Sequence, residues 1–268
     1  MGLDASDEDG GTNTNSGSPA IRIAPQPVKG LYLPDGIARY TVNGQSFLVT
    51  ANEGDARADW PGFNEETRVR AHCSAGLDPT VFADADKLIL DSNLGRLRVT
   101  STPNGGSANS GKNAAGQCTE LYAFGARSFS IWDMNLNRVF DSGDAFEQRT
   151  SALPNAAFNA SHDNNTADGR SAAKGPEPEG VVVAQFGVRH FAFIGLERVG
   201  GVMVYDVTVP ASASFVTYFN PRSGATGDRG PEGLAFIPAN QSPNGKPLLI
   251  VGHEVSGTTV VLQVNLRY

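Results

Sequence analysis

The sequence predicts an all-β protein, a β-propeller of about four blade-like antiparallel meanders joined by long irregular loops. Three observations carry that expectation. The apolar runs are short, β-branched or aromatic, and bounded by Gly and Pro, as strands are and helices are not. Thirty-one glycines and sixteen prolines in 268 residues favour many turns. One frame also recurs: an acid followed by Gly opens a strand, a tight turn reverses it, and a second strand ends on another acid. Asp35 and Glu53 stand 18 residues apart, Glu179 and Glu197 also 18, and Glu232 and Glu254 22, the last pair with a longer hairpin. An up-and-down hairpin returns to the edge it left, so each acid pair is expected to sit together. Radial repetition of such units is how propellers are built.

Taken in order, residues 1–20 are polar and low in complexity and read as a flexible acidic entry segment; residues 21–268 are the propeller domain. Asp4, Asp7 and Asp9 before Gly10-Gly11 are raw material for a calcium loop, but no bidentate Glu follows at the required position. Residues 21–23 read as an edge strand and 32–55 as the first clear unit, turning at Asn43-Gly44. Residues 56–115 break the rhythm as a long insertion loop, with a helical turn at 67–71 and one convincing strand at 94–100; loops this long are usually functional or disordered. The meander resumes at Glu120, with strands at 129–133 and 138–141. After an irregular stretch at 151–176, the clearest unit spans 174–206, with strands at 181–184, 191–195 and 202–207. FSIWD and VMVYD occupy the same place in their units. Strands at 215–219, 248–252 and 258–265 complete the reading.

Composition narrows the function classes. A net charge of −7 and a pI near 5.1, without clustered Lys or Arg, argue against a nucleic-acid partner. No apolar run reaches about 18 residues, so no transmembrane segment is expected, and Met1-Gly2-Leu3-Asp4 does not open a signal peptide. Cys73 and Cys118 flank a polar stretch and are either a disulfide or two free thiols, a choice the sequence leaves open. There is no G-x-S-x-G elbow, Walker loop, H-E-x-x-H or helix-opening G-x-G-x-x-G, which speaks against nucleophile-based and nucleotide-dependent catalysis.

The chemistry is expected where the acids converge. Asp35, Glu53, Asp55, Glu177, Glu179, Glu197, Glu232 and Glu254 fall at strand starts or ends, near one mouth of a central channel. Carboxylates facing one another repel unless something positive sits among them. Oxygen ligands select hard cations, with Ca²⁺ first and Mg²⁺ or Mn²⁺ second. Arg57, Arg127, Arg198 and Lys174 stand beside these acids in sequence and offer neutralisation without a metal. Among the histidines, His253 beside Glu254 is the one to watch; His72, His162 and His190 are scattered.

The segments GLDASDEDGG, YLPDGIARYTVNGQSFLVTANEGDAR, ELYAFGARSFSIWD, VFDSGDAFEQ, KGPEPEGV, FIGLERVGGVMVYDVTVP, GPEGLAFIPA and VGHEVSGTT together resemble the choice-of-anchor I family across nearly the whole chain. The resemblance implies a secreted or cell-surface bacterial β-propeller, labelled alkaline phosphatase-like or phytase-like. It also implies further blades upstream of GLDASD, so that this chain resembles a C-terminal part, with any signal peptide on the missing part. Two functions follow as expectations. One is an extracellular, calcium-stabilised scaffold that binds ligands through its loops. The other is a metal-dependent phosphomonoesterase in which the acids hold the metal, Arg57 or Arg198 stabilises transition-state charge, and His253 assists.

Overall fold

In the computed structural model, residues 1–4, 21–103, 111–153 and 158–266 are described; most of the expected flexible entry segment, residues 5–20, lies outside them. Strands dominate. β1 (Gly2–Leu3) pairs with β2 (Ala24–Pro25), and β3 (Lys29–Leu31) follows. β4 (Ile37–Val42) and β5 (Gln45–Ala51) form a hairpin closed by Asn43 and Gly44, both at positive φ, as a right-twisted two-residue turn demands. Then come β6 (Glu66–Arg68), β7 (Arg98–Thr100), β8 (Tyr122–Phe124), β9 (Phe129–Asp133) and β10 (Arg138–Asp141). β11 (Pro178–Phe186), β12 (Arg189–Leu196), β13 (Val202–Asp206) and β14 (Ser214–Phe219) form one consecutive meander. β15 (Arg222–Ser223) and β16 (Thr226–Gly227) make a small ribbon, and β17 (Pro231–Ile237), β18 (Leu248–His253) and β19 (Thr258–Gln263) a three-stranded sheet.

Three antiparallel sheets share one frame: β4-β5-β9-β10, β11-β12-β13-β14 and β17-β18-β19. FSIWD (β9) and VMVYD (β13) are the third strands of their sheets, as expected. In the first sheet, however, the chain leaves after β5 and returns only at β9. The intervening residues, with β3, build a fourth sheet, β3-β8-β7-β6, in which β3 and β8 run parallel. This corrects two expectations. Glu120 does not restart a separate meander, because β8 belongs to the mixed sheet while β9 and β10 complete the sheet begun by β4 and β5. Residues 56–115, expected as a loop with a helical turn and one strand, carry the helix Val69–His72 near that turn and β7 within that strand, and in addition β6 and the helix Ala85–Leu88. The Cys73–Cys118 disulfide, Cα atoms 5.5 Å apart, closes 45 residues of this insertion.

Two smaller expectations also move. The strand expected at 94–100 shortens to Arg98–Thr100, because residues 91–96 wind into turns. Residues 21–23 form no strand; the pairing falls on Ala24–Pro25. Met1–Asp4, at the head of the segment expected to be flexible, is packed, with Leu3 and Asp4 fully buried.

Apolar faces join the sheets in succession. Val49, Phe129 and Ile131 of the first sheet meet Ile194, Met203 and Tyr205 of the second in one core, where the Phe129 and Tyr205 rings lie 4.7 Å apart. Phe191, Phe193 and Val202 of the second sheet share another core with Leu249 and Val251 of the third. A third core, around Cys73, Leu94, Leu97 and Val99, lies under the mixed sheet. Each fully buried Phe, Leu, Ile or Met contributes about 1.5–3 kcal/mol.

The acid-Gly corners are what let β4, β11 and β17 approach one another. The Gly36 N–H donates to the Glu179 carbonyl at 2.9 Å. A Cβ on Gly36 would lie 2.3 Å from that oxygen, and one on Gly180 2.0 Å from the Glu232 carbonyl. Each corner therefore rests on the backbone of the next. Nothing lies within 4 Å of a Cβ on Gly233. Gly180→Ala is expected to destabilise the fold by about 1–3 kcal/mol, the usual cost of overpacking. Gly233→Ala should change stability by no more than about 0.5 kcal/mol. Urea titrations of the two variants check the contrast; equal costs would mean that the corners do not interlock.

Candidate functional site

Glu53, Glu177 and Glu197 form a buried inner tier, each presenting a carboxylate oxygen within 4.8 Å of the others. Glu53 follows β5, where the buried Asn52 side chain donates to Ser128 and Ser130 and fixes the turn. Glu197 follows β12, and its N–H donates to the Glu177 carbonyl at 2.8 Å. Glu177 itself sits at φ +53°, in the left-handed region where a residue without glycine's freedom is strained by roughly 1–3 kcal/mol.

Three cations close this tier. Lys174 Nζ lies 2.5 Å from Glu53 and 2.9 Å from Glu177, Arg170 pairs with Glu177, and Arg198 lies 3.2 Å from Glu177 and 3.1 Å from Glu197. The imidazole of His162 stands 2.7 Å from Arg198 and 3.3 Å from Glu197. Because Arg198 only donates, that contact requires a neutral imidazole, and burial followed by the Arg198 charge holds the His162 pKa down. Burial works against the charge on Glu177, yet Arg170, Lys174 and Arg198 outweigh it and draw its pKa to about 2. Glu197 goes the other way: burial and then the Glu177 charge push it up to about 9, against the pull of Arg198. Burial also raises Glu53, against Lys174.

Above this tier lies a rim of acids with a different character. Burial, followed by the charges of Glu53, Glu232, Asp35 and Glu254, pushes Glu179 up to about 8, and its buried Oε2 has no hydrogen-bond partner. Burial and a hydrogen bond with Glu254 raise Glu232; that bond requires a proton on one of the two. Hairpin pairing brings these acids together, since Pro178 lies opposite Leu196 and Pro231 opposite His253. The inner tier already holds an ammonium and two guanidiniums where a metal ion would sit, so its residues do not fit one. The rim supplies oxygen donors alone and an unpartnered buried oxygen, which is what a hard cation takes.

The expected residues thus divide. Asp35, Glu53, Glu177, Glu179, Glu197, Glu232, Glu254 and Arg198 are brought together, and exposed Asp55 reaches Lys174 at 3.8 Å. Arg57 is not: its guanidinium is committed to Glu65 and lies over Trp60 and Phe63. His253 is buried in β18, and the charge acting on it is that of Asp228. Arg127, read as a neutraliser of these acids, pairs instead with buried Glu147 and donates to the Asp4, Ser171 and Ala173 carbonyls. His162 and Arg170 take places that sequence reasoning did not give them. Both come from the irregular stretch before β11, where neither periodicity nor spacing announces a contact.

The choice-of-anchor I domain model matches residues 1–210. The chain belongs to the choice-of-anchor I family. The matched part of this choice-of-anchor I domain holds the whole inner tier, while Glu232 and Glu254 of the rim follow it. Gigasin-3a of Magallana gigas is 30% identical over 193 residues, 65% of this chain and 66% of that protein. A mesenchyme-specific cell surface glycoprotein of Strongylocentrotus purpuratus is 27% identical over 205 residues, 65% of this chain and 26% of that protein. The chain spans just under two thirds of the first relative and about a quarter of the second. Membership of a cell-surface anchor family, together with the disulfide, fits an extracellular protein. Among the described residues no helix is long and apolar enough to cross a membrane.

Two outcomes follow. Lys174→Met leaves Glu53 and Glu177 buried beside one another and is expected to cost about 3–5 kcal/mol in denaturant unfolding; the double variant with Glu53→Gln should recover part of that loss. The depressed and the raised carboxyl groups should also respond oppositely to pH. The depressed Glu177 contributes stability that is present above its ordinary range near pH 4.3 and lost as pH falls through about 2. Glu179 and Glu197 hold protons in the fold that the unfolded chain has released, so stability should fall as pH rises from about 4.5 through 8 to 9. Melting in EDTA should show that decline, and Glu179→Gln should flatten it.

Proposed function

We propose that this domain is a secreted or cell-surface binding scaffold in which the three frame-sharing sheets are successive β-propeller blades and Ca²⁺ stabilises the carboxylate rim. The interlocked acid-Gly corners support the propeller reading, because they bring β4, β11 and β17, the first strands of the three sheets, against one another. One observation carries the cation reading: the buried Oε2 of Glu179 has no hydrogen-bond partner, while the charges of Glu232, Asp35 and Glu254 all act on that carboxyl group. Those four residues would hold the ion and exchange mutual repulsion for coordination. Carboxylates from three separate corners suit the irregular, higher coordination of Ca²⁺ better than the strict octahedron of Mg²⁺. Loops around the mouth would carry the extracellular ligand.

The phosphomonoesterase alternative is less well supported. It needs an arginine free to meet a phosphoryl group beside the metal, whereas Arg198 is committed to Glu177 and Glu197, and Arg57 to Glu65.

After chelation, Ca²⁺ at a hundredfold excess over its Kd should add about 2.7 kcal/mol. That is roughly 5–10 °C in melting temperature for a chain of this size. Glu179→Gln and Glu232→Gln should each remove most of the shift, with no p-nitrophenyl phosphate turnover above buffer. Turnover that Ca²⁺ restores and both variants abolish would replace the scaffold with the phosphatase. No calcium-dependent shift at all would sink the cation reading.

A further inference from the structure

A second site lies on the mixed sheet, apart from the rim. The turn after β5 and strands β3, β7 and β8 enclose an open cavity of about 620 Å³, within the range of small-molecule sites. Its polar side is built around Arg57 and Glu65. Glu65 is buried and accepts from the Arg57 backbone N–H at 3.0 Å, from Nε at 3.0 Å, from Nη2 at 2.9 Å and from the Thr100 hydroxyl at 3.1 Å. This holds the guanidinium rigid and leaves Nη1 to donate outward. Phe63 and Trp60 flank the same guanidinium at 5.0 and 5.8 Å, and Trp60 is 61% exposed. Asp55 adds an exposed acceptor and Thr102 a hydroxyl at the cavity wall.

We propose that this cavity binds a neutral sugar ring, such as the terminal residue of a glycan. A fixed donor, a carboxylate acceptor and a hydroxyl match the hydroxyls of a sugar, and the exposed ring of Phe63 in the cavity wall matches its C–H face, with Trp60 beside it just outside. The charges decide against the other classes. Asp55 and Glu65 outnumber Arg57, which repels phosphates and carboxylates, while Arg57 opposes a cationic ligand. A purely apolar ligand would strand Asp55 and Arg57 against it. Because Glu65 and Thr100 already fix Arg57, little ordering remains to oppose binding. The site stands independently of the calcium reading.

The test is a neutral-glycan array followed by intrinsic tryptophan fluorescence titration with galactose, mannose and N-acetylglucosamine. At least one should bind saturably in the millimolar range. Phe63→Ala and Asp55→Ala should each weaken binding at least tenfold at an unchanged melting temperature. The Asp55 side chain is 85% exposed, so its removal leaves the fold intact. Glu179→Gln should bind like the parent protein, which separates this site from the rim. No saturable binding to any neutral glycan, binding to acidic glycans alone, or binding unaltered in both variants would overturn the proposal.

Discussion

Like charges drawn within a few ångströms of one another must be neutralised, protonated or bridged, and this constraint governs the centre of the molecule. At the separation of Glu53, Glu177 and Glu197, each carboxylate pair repels by roughly 3 kcal/mol at an effective dielectric near 20. The fold imposes that convergence, because every hairpin starts and ends at the same edge and the acid-Gly corners rest on one another. Three apolar interfaces provide the force that holds the corners in place.

The protein answers the constraint in two ways at two depths. In the buried tier, Lys174, Arg170 and Arg198 gather around Glu177 and hold it ionised, while Glu197 relieves the crowding by keeping a proton. Removing one member of such a network costs more than the network as a whole contributes, since the partners left behind cannot reach water. At the rim the acids crowd one another instead, and Glu179 relieves the crowding by holding a proton. The first arrangement rigidifies; the second leaves a place for an external cation. The insertion between β5 and β9, tied by its disulfide, adds a surface of its own, where Asp55 reaches Lys174 of the buried tier.

Most strands and the recurring frame were legible in the sequence, because period-2 alternation and Gly-bounded turns are local properties. FSIWD and VMVYD could be matched to one another on pattern alone. The pairing of β9 with β5 across the insertion was not legible, nor was the parallel contact between β3 and β8, since neither leaves a periodic trace. Lys29–Leu31 is too short to carry one. At the site, the acids were found because each sits at a fixed place in the frame. Of their partners, Lys174 and Arg198 were also legible, but Arg170 and the neutral His162 were not, because both arrive from an irregular segment whose path is set by backbone bonds such as Arg170 N–H to the Asn159 carbonyl. Arg57 and Arg127 were placed wrongly for a related reason: nearness in sequence to an acid says little when buried Glu65 and Glu147 compete for the same guanidiniums.

The central claim is that protein cations meet the buried acids while the acids above them crowd one another, and the titration of Glu179 tests it most directly. Side-chain carboxyl NMR of the calcium-free protein should show Glu179 titrating near pH 8 and dropping into or below the ordinary carboxylate range when Ca²⁺ is added. A Glu179 that titrates near pH 4 without calcium, and does not respond to it, would contradict the account.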